Sequence, residues 1–100
     1  MEPLTSAQRK YLRGLANRLD ALVIVGKQGV TDNLIQAVDD ALTAHELIKV
    51  RFNEFKDEKD ALSETIAGAT SSHVAGRIGH VLILYREQPD PEKRAIRLPS

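Results

Sequence analysis

Five consecutive apolar residues, Ala21-Leu22-Val23-Ile24-Val25, run directly into Gly26-Lys27-Gln28-Gly29, and a helical pattern opens at Thr31. This order predicts a strand, a tight turn bounded by glycine and then a helix, which commits this part of the chain to an α/β arrangement. Glycine at both ends of such a turn clears side chains from the backbone, so main-chain N–H groups are open to an anion. The helix N-terminus behind the turn adds a favourable dipole.

The flanking segments extend the pattern. Thr5 and Ser6 precede a helix that turns Tyr11, Leu12, Leu15, Ala16 and Leu19 to one side and Arg9, Lys10, Arg13 and Arg18 to the rest. Because residues 21–25 are apolar on both faces, they read as a central strand. Thr31 is the expected N-cap of a second helix, with Asp32 favouring its dipole and Leu34, Ile35, Val38, Ala41 and Leu42 giving the period through His45. Leu47 to Phe52 alternates as a strand with one covered face, its outward set including Lys49 and Arg51. The polar stretch Asn53 to Asp60 leads to a third helix with Ala61, Leu62, Thr65, Ile66 and Ala69 inward, ended by Ser71-Ser72. Val74 to Ile78, Gly79-His80 and Val81 to Arg86 read as a hairpin on a type II′ turn. The order is αβαβαββ. Helices between strands require right-handed crossovers and a mixed sheet closed by an antiparallel pair. Residues 1–100 form one domain by this reading, and 88–100, with Pro89, Pro91 and Pro99, an extended tail in which Ala95 to Leu98 is a possible extra strand.

Composition narrows the function. There is no cysteine, which excludes disulfides and thiolate metal sites, and the start of the chain has no signal-peptide pattern. The apolar runs are far too short for a membrane span, so a cytoplasmic location is expected. Net charge is zero, which argues against a generic polyanion binder, but it is unevenly placed: +3 over residues 1–30, −5 over 31–68 and +2 over 69–100. If the two ends of the chain meet in space, a basic face backs onto an acidic one.

Small nucleotide cofactors do not fit the turn. A mononucleotide P-loop needs a longer loop ending in Gly-Lys-Ser/Thr, and a dinucleotide fingerprint needs a third glycine where Asp32 stands. A polymer backbone suits it better, because several cations then act on one ligand. A second match, Gly76-Arg77-Ile78-Gly79, is explained by a bulge or close backbone approach and by the hairpin turn, with Arg77 kept as a possible ligand contact. His45, His73 and His80 are scattered without metal-ligand spacing, and no clustered acid and base or nucleophile elbow is present. No metal, cofactor, small-molecule substrate or catalysis is therefore expected. Of the aromatics Tyr11, Phe52, Phe55 and Tyr85, the first two read as core and the last two as candidates to stack a base. So few aromatics favour recognition by backbone and shape.

Several stretches in order then resemble one family. They are Gln8 to Ala16, Val23 to Thr31, Ala41 to Arg51, the hairpin Ile78 to Arg86, and Ile96-Arg97-Leu98-Pro99. The chain is similar to the CRM domain family (chloroplast RNA splicing and ribosome maturation), especially its free-standing YhbY-like bacterial members. The resemblance implies a two-layer α/β sandwich with a four-stranded mixed sheet, RNA binding without catalysis, and assistance to assembly of the large ribosomal subunit. It places Gly26 to Gly29 on the family's Gly-x-x-Gly loop, which is likened to the RNA-clamping loop of KH domains. Family members are often plainly basic and commonly carry Lys after the hairpin glycine, where this chain is neutral and has His80. The expected RNA-binding set is Gly26, Lys27, Gln28 and Gly29, with Arg9, Lys10, Arg13, Lys49, Arg51 and Arg77, on a monomer contacting ribosomal RNA. The alternative is a protein–protein adaptor on assembly intermediates, docking through the acidic middle segment.

Overall fold

Local capping opens the first helix. Thr5 accepts from the Gln8 N–H at 3.1 Å while the Gln8 side chain accepts from the Thr5 N–H at 3.0 Å, a reciprocal box that starts α1 at Ser6. The computed structural model describes residues 3–100. Its elements are α1 (Ser6–Ala16), β1 (Ala21–Val25), α2 (Asp32–His45), β2 (Leu47–Phe52), α3 (Lys59–Thr70), β3 (His73–Ile78) and β4 (Val81–Tyr85). Single 3-10 turns, at Lys56–Glu58 and Pro91–Lys93, precede α3 and follow β4. The αβαβαββ order and the mixed four-stranded sheet are as the sequence predicts.

In space the strands lie in the order β1-β2-β4-β3, with β1 parallel to β2 and the other two pairs antiparallel. Strand alternation divides the apolar residues between two cores. Val23, Val25, Ile48, Val50, Phe52, Leu82 and Leu84 face α2 and α3, meeting Val38, Leu42, Ile66 and Ala67. Leu47, Ile83, Tyr85 and Ala75 point the other way, onto Leu12 and Ala16 of α1, where Leu4, Ile96 and Leu98 complete the cluster. The sheet and the α2–α3 pair make the sandwich, and α1 lies across part of the opposite face.

Several expectations are corrected by this packing. β1 is not central: it is an edge strand, and Leu22 and Ile24 face outward at 56% and 52% exposure. Its apolar run does not report burial on both faces, because α1 lies over β2, β4 and β3 rather than over β1. Tyr11, Leu15 and Leu19 are exposed for the same reason, leaving Leu12 and Ala16 as the buried positions of α1. On α3 the inward set is Ser63, Ile66, Ala67 and Thr70, with Leu62 at its margin, whereas Ala61, Thr65 and Ala69 are exposed. Small hydroxyl residues tolerate that burial because each bonds within its own helix, Ser63 to the Lys59 carbonyl and Thr70 to the Ile66 carbonyl. The hairpin has Gly79 at φ +58° and no positive φ at His80, as a type II′ turn requires.

The tail forms no strand at Ala95–Leu98. It is held by Glu46, a buried carboxylate that accepts from the N–H groups of Gln88, Ala95 and Ile96 at 3.0, 2.6 and 3.2 Å. Arg86 fastens the other side, pairing with Asp39 at 2.6 Å and donating to the Thr70 carbonyl at 2.9 Å. These contacts join α2, the end of α3, β4 and the tail at the end of the sheet remote from the Gly26–Gly29 turn.

Candidate nucleic-acid interface

The turn after β1 is closed by a 3.0 Å hydrogen bond from the Gly29 N–H to the Gly26 carbonyl. Its central residues, Lys27 and Gln28, are exposed. Among the described residues none accepts from the Lys27 or Gln28 N–H, so both amides remain open to a ligand. The helix behind is already capped: Thr31 accepts from the Leu34 N–H at 3.1 Å and Asp32 occupies the first turn. The anion-accepting groups are therefore the turn amides, with less left to the helix end than the sequence suggests.

The two glycines have different physical reasons. Gly29 has φ +72°, and a Cβ there would lie 3.2 Å from the Phe55 ring, so the fold itself favours glycine. Gly26 has an ordinary φ, and a methyl group on its Cα would meet nothing within 4 Å, so the protein interior places no such demand. What a side chain at 26 would obstruct lies outside the protein. Phe55, itself at φ +57° and partly exposed, covers Gly29 from the segment after β2.

Cations gather on the α1 side of the sheet. Residues opposed in register share a face, which sets Arg51 beside Ile24 and places Lys49 on the same side of β2. Lys49 donates to the Leu19 carbonyl at 2.9 Å, which holds its ammonium toward the end of α1. α1 carries Arg9, Lys10 and Arg13 and no acidic residue. Arg13 lies along β3, donating to the Ala75 carbonyl at 3.4 Å, and a Cβ at Gly76 would meet its Cδ at 2.6 Å. That contact and a register shift between Val74 and Gly76 account for Gly76. Arg9 is occupied near the helix start by the Leu4 carbonyl at 2.7 Å and Ser6 Oγ at 3.1 Å, while Lys10 is exposed.

Arg77 does not join this group. Register sets it beside Leu82, on the α3 side, where it pairs with Asp60 at 3.3 Å and Glu64 at 3.2 Å. The carboxylates of α2 and α3, including Asp32, Asp39, Asp40, Asp60 and Glu64, lie on that side as well. The sheet thus separates the charge that the linear sequence only apportions by segment. Lys27 also borders a shallow cleft lined by Asn53, Glu54, Phe55, Lys56, Asp57 and Glu58, so one flank of the turn is acidic. Tyr85 is not available to a base: it is fully buried, its hydroxyl has no hydrogen-bond partner among the described residues, and burial with Glu46 and Glu87 nearby pushes its pKa up to about 12. Phe55 and Tyr11 are the exposed aromatics instead. The apolar run of β1 conceals its outward residues in the sequence, and only the edge position reveals them.

Among the described residues there is no group of His, Asp and Glu able to hold a metal, and no helix long and apolar enough to cross a membrane. The CRS1 / YhbY (CRM) domain model matches residues 4–86. The chain belongs to the CRM domain family. It is 36% identical over 97 residues to “Probable RNA-binding protein YqeI” of Bacillus subtilis, covering 96% of this chain and 99% of that protein. It is 34% identical over 100 residues to a protein of Haemophilus influenzae named “RNA-binding protein”, covering 99% and 98% of the two chains. The solution structure of SAV1595 from Staphylococcus aureus, described there as a candidate RNA binding protein, superposes with a TM-score of 0.81 at 41% identity, covering 96% of this chain and 99% of that one. The Gly26–Gly29 turn thus sits where β1 ends, with the cations of β2 and α1 on one side of it.

Proposed function

We propose that this CRM-domain protein binds structured ribosomal RNA through the Gly26–Gly29 turn and the α1 side of its sheet, and that it assists assembly of the large ribosomal subunit. The observation that carries the reading is the pair of open turn amides at Lys27 and Gln28, beside a Gly26 that the fold does not require. Phosphate oxygens accept from those amides, Lys27 neutralises the charge, and Arg51, Lys49, Arg13 and Lys10 continue the cationic surface. Arg9 contributes chiefly by holding the helix start, and Arg77 by its ion pairs with α3. The protein acts by binding alone, as a cytoplasmic monomer. The names of its relatives and the family match support RNA as the partner.

The test is a salt titration of binding to a fragment of precursor large-subunit RNA. The triple variant Lys27→Ala, Lys49→Ala, Arg51→Ala is expected to bind more weakly, and each lost phosphate contact reduces the slope of log K against log[salt] by about 0.7–0.9. An affinity and slope identical to the parent protein would remove this surface from the reading. The adaptor alternative draws on the acidic α2–α3 side, and a partner retained after RNase treatment of a pull-down is its signature.

A further inference from the structure

On the α1 side of the sheet, at the end beside the Gly26–Gly29 turn, strand register sets Ile24, Arg51, Val81 and Ile78 in one row across all four strands. Helix α1 does not reach this row. Ile83, the next residue on this face of β4, is 1% exposed, whereas Ile24 and Ile78 are 52% and 56% exposed and Arg51 is open. Leu22, 56% exposed, continues the strip one pleat back along β1, on the same side as Lys49. Three inter-strand spacings of about 4.8 Å make the row about 14 Å long. Single exposed aliphatic residues are ordinary on a protein surface. Here Ile24, half-buried Val81 and Ile78 stand in one register row with Arg51 between them and Leu22 beside it, an aliphatic strip with a cation in it, which marks a contact surface.

We propose that this strip is a platform for the bases of an unpaired RNA strand whose backbone is held at the turn. The inference rests on the RNA reading above and deepens it by naming the kind of RNA. Two observations select this occupant. The first is charge: Arg51 lies within the strip, Lys49 shares its face, and α1 beside it is basic without an acidic residue, while the acids of α2 and α3 are behind the sheet. A cationic aliphatic surface complements a ligand with anionic backbone and apolar flat faces. The second is continuity: β1 passes from Ile24 through Val25 straight into Gly26. On its other flank the turn meets the cleft of Glu54, Lys56, Asp57 and Glu58, whose three carboxylates outnumber its one added cation and disfavour a polyanion. A strand leaving the turn amides toward the cations therefore meets the strip first. In an A-form duplex the bases are stacked and paired, so their faces are closed to the sheet. An unpaired strand offers them.

The test compares a labelled short oligouridylate with a blunt duplex of equal length, by fluorescence anisotropy across a salt series. The variant Ile24→Thr, Ile78→Thr keeps β-branched side chains at exposed strand positions and leaves both cores intact. It is expected to weaken single-strand binding about tenfold through loss of apolar contact with the bases, with the salt slope and duplex binding unchanged. A second variant, Leu22→Thr with Ile24→Thr, leaves the hairpin untouched and reads the same effect should Ile78 matter to folding. If Lys27→Ala weakens binding while both strip variants bind single strands as the parent does, the platform falls and the turn reading stands. If the parent protein binds neither RNA, both fall. If the strip variants lose a protein partner while keeping RNA affinity, the strip belongs to that partner and the platform is overturned.

Discussion

At the scale of single residues, the two glycines of one motif separate by physics. Gly29→Ala forces a side chain into the left-handed region and against Phe55, and is expected to cost about 1–2 kcal/mol, read as a lower urea midpoint. Gly26→Ala meets open space and should unfold at the parent's midpoint, yet lose RNA affinity because the methyl stands where the backbone of the ligand approaches. Loss of affinity at 26 without loss of stability is the discriminating result. Equal affinity for Gly26→Ala and the parent would mean that the turn is only a connection between strand and helix.

At the scale of elements, the ends of helices and strands decide the arrangement. α2 ends at Glu46, a non-glycine residue at φ +59°. That conformation is unfavourable for a residue with a side chain, and three backbone donors bonded to the carboxylate compensate for it. Glu46→Ala leaves those N–H groups without their acceptor and is expected to destabilise by about 2–4 kcal/mol. Hydrogen exchange would localise the effect: the amides of Gln88, Ala95 and Ile96 should lose protection before the strands do. Retained protection at those three amides would show that the tail is held by Ile96 and Leu98 packing instead. The carboxylate hub is not legible in the sequence, because its partners are more than forty residues away in the chain.

At the scale of the whole molecule, burial links stability to pH. Burial is the main cause that lowers the pKa of His73 below 6.5, so between that lowered value and 6.5 the unfolded chain binds a proton that the folded chain refuses. Stability therefore falls as pH drops below 6.5. Tyr85 acts at the other end: its pKa rises from 10.0 to about 12, so the unfolded chain releases its proton first and stability falls as pH rises through that interval. Urea midpoints measured across pH should show both shoulders, with His73→Gln flattening the acidic one and Tyr85→Phe the alkaline one. An unchanged acidic shoulder in His73→Gln would assign that loss to other groups.

The linear pattern determined much of this protein. Local signals act within a few residues, so Thr31 as a cap, Gly79 in its turn, the alternation of Leu47 to Phe52 and the αβαβαββ order were all readable, as was the glycine-bounded turn with its lysine. The charge of each segment was countable too, but not its side of the sheet. Only tertiary structure decided that β1 lies at an edge, that Arg77 pairs behind the sheet while Arg51 opens in front, and that Tyr85 is buried while Tyr11 is not. The physical reason is that propensity and period are properties of neighbours along the chain. Which face a helix covers, and how far, is set by packing between segments that the chain keeps far apart.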